Sequence, residues 1–174
     1  MKIVRVILLS CFAFLSSLVF YSCFNEAKAN DVTTTTTVND NTQLVWHDIE
    51  SLEMLQSKEP KKVIVDIYTD WCKWCHVMDD KTFTDPDLIG YLNENYYMVK
   101  LNAESKKDLK FKGQNFSFKE GGRRGYHTLA LALSDDRLSY PSFVILDSSL
   151  NKLDITRGYK DATQFTEFLE KKSL

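Results

Sequence analysis

The stretch Val63-Ile64-Val65-Asp66-Ile67-Tyr68-Thr69-Asp70-Trp71-Cys72-Lys73-Trp74-Cys75-His76 decides the fold. Its first six residues form a short, β-branched apolar run, the composition of a central strand buried on both faces. Cys72 then opens a segment, residues 72–81, that can coil into a helix. A cysteine at a helix start meets the positive end of the helix dipole and unpaired backbone N–H groups, which favour its thiolate. Cys72 is therefore expected to be the attacking nucleophile and the more exposed thiol. Cys75, one turn on and facing the same way, is placed to resolve a mixed disulfide. Asp66 interrupts the apolar run, and burying an unpaired carboxylate costs several kcal/mol. It reads as a functional acid whose raised pKa suits it to moving the Cys75 proton. Trp71, Lys73 and Trp74 surround the cysteines and read as client contacts.

Working outward, residues 44–46 are a short strand candidate, and Asp48 can cap a helix with apolar positions Ile49, Leu52, Met54 and Leu55 that ends before Pro60. Beyond the cysteines, Asp85 caps and Pro86 takes the first position of a helix over 86–93, with Leu88, Ile89 and Leu92 on one face. Residues 96–101 form another strand. An insert spans about residues 103–138. Within it, 109–112 and 116–119 alternate around 113–115 as a hairpin would, and 126–133 reads as helical. Residues 142–146 and 152–156 make a terminal hairpin turning at 147–151. Asp161 caps a last helix that turns Phe165, Phe168 and Leu169 inward. The order βαβαβ, insert, ββα predicts an α/β fold with helices flanking a central mixed sheet.

These residues resemble the thioredoxin superfamily over most of 42–174 apart from the insert. Trp71 before the Cys72-x-x-Cys75 pair matches that family's motif, and the resemblance implies a thioredoxin-like fold and thiol–disulfide exchange. It also implies that Asp66 is the family's buried acid, that Lys100 is the lysine beside it, and that Tyr140-Pro141 is the loop whose cis-proline faces the cysteines. The stretch from Cys72 through Thr82-Phe83-Thr84-Asp85-Pro86 is similar to the periplasmic C-terminal domain of the transmembrane disulfide reductant. Trp74-Cys75-His76-Val77-Met78 and Leu92-Asn93-Glu94-Asn95 are similar to the thioredoxin-like domain of spermatogenesis-associated proteins. Lys73-Trp74 replaces the family's usual Gly-Pro, which leaves the direction of electron flow open. The Asp66 and Lys100 pattern is that of the reducing branch. No cofactor is implied beyond an electron partner; the partners implied are client proteins with disulfides and an upstream electron donor.

The leader sets the expected compartment. Residues 6–24 carry no charge and follow Lys2 and Arg5, as in an export signal. Three outcomes stay open: cleavage after Ala29, lipidation at Cys23, or an uncleaved anchor. Residues 30–41, rich in Thr, read as a flexible linker, so the domain is 42–174. An exported, periplasmic or cell-envelope protein is expected, touching a membrane only through that leader. Cys11 and Cys23 lie in the leader, so the domain keeps one local pair, a pattern of redox chemistry rather than stapling.

The 174 residues carry a net charge of -2. The insert carries Lys106, Lys107, Lys110, Lys112, Lys119, Arg123 and Arg124 among aromatics. Export and an acidic remainder argue against a nucleic-acid partner, which leaves a solvated hairpin with its phenylalanines packed inward or a rim that selects the partner protein. Cys72-Lys73-Trp74-Cys75-His76 is also the attachment motif of a c-type haem, with His76 as one axial ligand and Met78, Met98, His47 or His127 as candidates for the other. That reading explains neither Asp66 nor Tyr140-Pro141. A zinc site would need His47 or His127 folded onto the two cysteines without the usual paired spacing, and no metal is expected. A thioredoxin-like module that only binds clients is the remaining alternative.

Overall fold

The computed structural model describes residues 43–171, so the leader and the linker lie outside the described residues. In chain order these form β1 (Trp46–His47), a 3-10 turn (Ile49–Ser51), α1 (Leu52–Lys58), β2 (Lys62–Tyr68), α2 (Lys73–Val77), a π-helical turn (Met78–Thr82) and α3 (Pro86–Asn95). There follow β3 (Tyr96–Asn102), β4 (Leu109–Phe111), β5 (Gln114–Phe116), β6 (Phe118–Lys119), β7 (Tyr126–His127), α4 (Thr128–Leu133), β8 (Ser142–Leu146), β9 (Lys152–Arg157) and α5 (Ala162–Glu170).

One sheet of five strands, ordered β1-β3-β2-β8-β9, carries the fold. As its composition predicts, β2 lies at the centre, parallel to β3 and antiparallel to β8. Period-two alternation splits its side chains between two cores. Val63, Val65 and Ile67 face Leu52 of α1 and Leu129 and Leu133 of α4. Ile64 faces the other way, toward Leu88 and Leu92 of α3 and Phe165 and Leu169 of α5. Phe83, Phe143 and Phe165 pack edge to face there, with centroids 4.9–5.8 Å apart. Helices thus cover both faces of a mixed sheet.

Two of the three expected caps form. The Asp85 carboxylate accepts from the Leu88 N–H, with Pro86 in the first turn of α3. Asp161 and Gln164 form a reciprocal capping box on α5. Asp48 stands at an N-terminal cap position without a side-chain cap hydrogen bond.

Several boundaries differ from the sequence reading. The first strand is Trp46–His47 rather than 44–46, because its register is set by pairing with Met98 and Val99 of β3. Met54 is exposed, since α1 is short and turns only a narrow stripe inward. The helix expected over 72–81 is α2 followed by a π-helical turn. In the insert, the hairpin turns at Lys112-Gly113, where both residues have positive φ, the geometry of a two-residue hairpin loop. Gln114 and Asn115 therefore belong to β5. Phe118–Lys119 leaves that hairpin to pair with Tyr126–His127, which are strand rather than the start of the helix. The Ser117 carbonyl accepts from both the N–H and the hydroxyl of Thr128, and that junction breaks the expected alternation.

Candidate functional site

β2 delivers the chain to the site. At its carboxyl end Thr69 accepts from the Cys72 N–H through its carbonyl, which closes the turn into α2. Cys72 takes the N-cap position, and the Cys75 N–H points at its sulfur over 3.2 Å. That contact favours negative charge on the Cys72 sulfur. Cys72 and Cys75 are joined in a disulfide, with Cα atoms 5.3 Å apart. Exposure runs in the expected order but both are buried, Cys72 at 5 % and Cys75 at 2 %. Cys72 is thus less open than a first helical residue usually is.

Asp66 sits opposite Lys100 of β3 and Phe143 of β8 in the sheet register, on the face lined by Ile64. It is 2 % exposed, and burial, with a smaller push from the Asp79 carboxylate, raises its pKa to about 6 against the pull of Lys100. Its Oδ2 lies 3.3 Å from Lys100 Nζ, while Oδ1 has no partner among the described residues. The same ammonium donates to Asp79 Oδ1 at 2.5 Å. It also stands 4.7 Å from the Trp46 ring centroid and 4.9 Å from that of Tyr68. Burial alone would lower the Lys100 pKa, but the two carboxylates outweigh it and hold it above the ordinary value. Asp79, four residues after Cys75 on the same helical path, was missed in the sequence; the i,i+4 spacing from Cys75 was the available signal.

Tyr140-Pro141 is a cis peptide bond, as the resemblance implies. Pro141 immediately precedes β8, whose Ser142 opposes Ile67, so it lies at the end of the sheet from which the cysteine turn departs. Two pairs of aromatic rings flank that end. Trp71 packs edge to face on Tyr140 at 5.7 Å and donates its indole N–H to Glu104 Oε1 at 3.0 Å. Trp74 lies 5.2 Å from Tyr159. Both tryptophans are about half exposed, at 51 % and 55 %. Lys73 is exposed. Glu104 and Tyr159 were not singled out in the sequence, because their neighbours at the site come from distant segments, and Arg124 stood there only as one of the insert's basic residues.

The side chains that a haem or zinc would need are placed elsewhere. His76 Nε2 lies 2.9 Å from the Asp70 carbonyl. Met78 and Met98 are packed in the core under α3 and α5. His127 is buried between the Lys107 carbonyl and the Leu129 N–H, and His47 packs edge to face with Tyr97. Among the described residues, no group of three or more His, Cys, Asp or Glu is gathered as a metal site.

A cysteine pair at the first turn of a helix, beside a buried acid and a cis-proline loop on a five-stranded mixed sheet, defines the thioredoxin fold with a dithiol–disulfide centre. The chain belongs to the Thioredox_DsbH family, described as a protein of unknown function (DUF255), whose model matches residues 33–141. Among curated proteins it is similar to the thiol:disulfide interchange protein DsbD of Photorhabdus laumondii, 27 % identical over 128 residues. That alignment covers 72 % of this chain and 18 % of the relative. It is also similar to spermatogenesis-associated protein 20 of Rattus norvegicus, 31 % identical over 52 residues, which are 30 % of this chain and 7 % of that protein. The chain thus spans less than a fifth of either relative. Among solved structures, a putative disulphide-isomerase from Bacteroides thetaiotaomicron superposes with a TM-score of 0.54 at 18 % identity, covering 76 % of this chain and 94 % of that one. A DsbH oxidoreductase superposes with a TM-score of 0.51 at 15 % identity, over 75 % and 84 %. These structural likenesses establish the fold. The family relationship and the Cys72–Cys75 pair relate the chain to the thioredoxin-like thiol–disulfide oxidoreductases.

Proposed function

We propose that this protein is an exported reductase of protein disulfides, working in the periplasm or cell envelope. The observation that carries the direction is Asp66, buried and paired with Lys100 on the face of β2 that also meets the helical path from Cys75 to Asp79. A carboxylate in that position disfavours a thiolate beside it, and so favours transfer of the pair's electrons to a client.

In the forward reaction the Cys72 thiolate attacks one sulfur of a client disulfide, forming a Cys72–client bond and releasing a client thiolate. Asp66 takes the Cys75 proton, and Cys75 then attacks the Cys72 sulfur. The Cys72–Cys75 disulfide forms and the second client thiolate leaves. Two electrons have passed from the pair to the client, and an upstream dithiol donor restores them. Trp71, Lys73, Trp74 and the Tyr140-Pro141 loop form the surface the client meets.

The test of direction is the reduction potential of the pair, read through Trp71 and Trp74 fluorescence in redox buffers. A value near that of thioredoxin, about -270 mV, is expected; one near the strongly oxidising end, about -120 mV, overturns the reductase assignment.

A further inference from the structure

Residues 105–127 hold seven Lys and Arg against two acidic residues, Asp108 and Glu120, in a chain of net charge -2. Some of these cations are engaged: Lys107 pairs with Glu50, Lys112 bonds Asn151, and Lys106 lies over the Phe118 ring. Arg123 and Arg124, at the tip of the β6–β7 loop, are exposed and make no ion pair among the described residues.

The loop is built to hold them in one place. Gly125 donates its N–H to the Gly121 carbonyl and has a φ of +72°. A Cβ there would lie 2.6 Å from the Lys119 carbonyl oxygen and would run into the Phe118 ring, so only glycine fits. The loop so closed sets the Arg124 guanidinium 5.2 Å from the centroid of Trp71, the residue directly before Cys72. Trp71 is gripped from a second side by Glu104, whose carboxylate accepts the indole N–H. Asp70, the acid directly before Trp71 in the chain, accepts from the Asn102 amide. The insert thereby places Arg124 at the rim of the redox centre, with Arg123 directly before it in the chain, and neither is in an ion pair among the described residues.

We propose that Arg123 and Arg124 are specificity-determining residues that select clients carrying acidic residues beside the disulfide to be exchanged. The inference rests on the thiol–disulfide activity proposed above and adds the chemistry of the substrate. An acidic segment reaching the cysteines meets the two guanidinium groups while its own disulfide lies over Trp71 and Cys72. Like charge on a basic client opposes the same approach.

The test uses the full chain, reduced, with two disulfide-bridged model peptides that are identical except for Glu or Lys on either side of the cystine. The readout is the ratio of their second-order rate constants, followed by tryptophan fluorescence, because a ratio is unaffected by a general loss of activity. The wild type is expected to favour the acidic peptide about tenfold at low salt. The Arg123→Glu, Arg124→Glu double variant inverts that preference, whereas Arg123→Lys, Arg124→Lys keeps it above one. Should the reversed variant fail to fold, the wild type alone decides: the ratio falls toward one between about 0.02 M and about 0.5 M salt. A wild-type ratio near one, a ratio flat with salt, or a preference unmoved by charge reversal overturns this inference and leaves the redox activity standing. A wild type that reduces neither peptide overturns the proposed activity, and this inference with it.

Discussion

Replacing Asp66 by Asn should stabilise the oxidised protein, by an amount that depends on pH in a defined way. Asp66 is 2 % exposed, with a pKa raised to about 6 from 3.8, first by burial and then by Asp79, against Lys100. Below pH 3.8 the carboxyl is protonated in both folded and unfolded chains and the asparagine matches its charge. Between 3.8 and about 6 the folded protein holds the proton that the unfolded chain has lost, so folding stability falls as pH rises through this window. Above about 6 both states are ionised and the loss is complete. At about 1.4 kcal/mol per tenfold difference in proton affinity, the interval from 3.8 to about 6 is worth about 3 kcal/mol. Carboxylates that do not share Lys100 with Asp66 titrate alike in both proteins and cancel in the difference. Urea unfolding of wild type and Asp66→Asn at half-unit steps from about pH 3 to about pH 8 measures it. The variant's advantage should grow by about 3 kcal/mol across the window and then stay level. A difference flat with pH, or one that moves in favour of the wild type, would refute the assignment of a desolvated carboxylate.

The same substitution should slow release of the mixed disulfide about 10- to 1,000-fold near neutral pH while the first attack by Cys72 changes little; stopped-flow rates for the two steps check this, and equal slowing would make Asp66 structural. Asp79→Asn should lower the Asp66 pKa from about 6, because a like charge is removed and Lys100 is freed to pair with Asp66 alone; carboxyl-carbon NMR titration reads that midpoint, and an upward move contradicts it. Gly125→Ala should cost about 1–3 kcal/mol in denaturant unfolding, because of its positive φ and the Lys119 carbonyl beside it; an unchanged midpoint would show that the β6–β7 loop is not pinned there.

Much of this site could be read in the sequence because its parts are local. The 63–68 run, the Cys72 turn and the Asp85-Pro86 cap each rest on neighbours a few residues apart, and the structure has all three. The pairing of Asp66 with Lys100 came through resemblance, since parallel register between β2 and β3 is invisible in either strand alone. The insert was the least legible part. Its first hairpin turns on Lys112, a residue that rarely takes positive φ, and its second ribbon closes over the six residues between Lys119 and Tyr126 with almost no apolar pattern. The place of Arg124 on Trp71 depends on that closure, and a charge count alone could not have supplied it.

The division of labour between the two sulfurs is the centre of the proposed mechanism, and trapping tests it most directly. Cys75→Ser and Cys72→Ser variants are expressed with the leader intact, and covalent complexes are resolved by non-reducing electrophoresis and identified by mass spectrometry. Cys75→Ser should still attack client disulfides through Cys72 and fail to release them, accumulating complexes that dissolve on reduction. Cys72→Ser should trap little. The reverse pattern, or no trapping by either variant while the wild type still reduces a model disulfide, would contradict the mechanism.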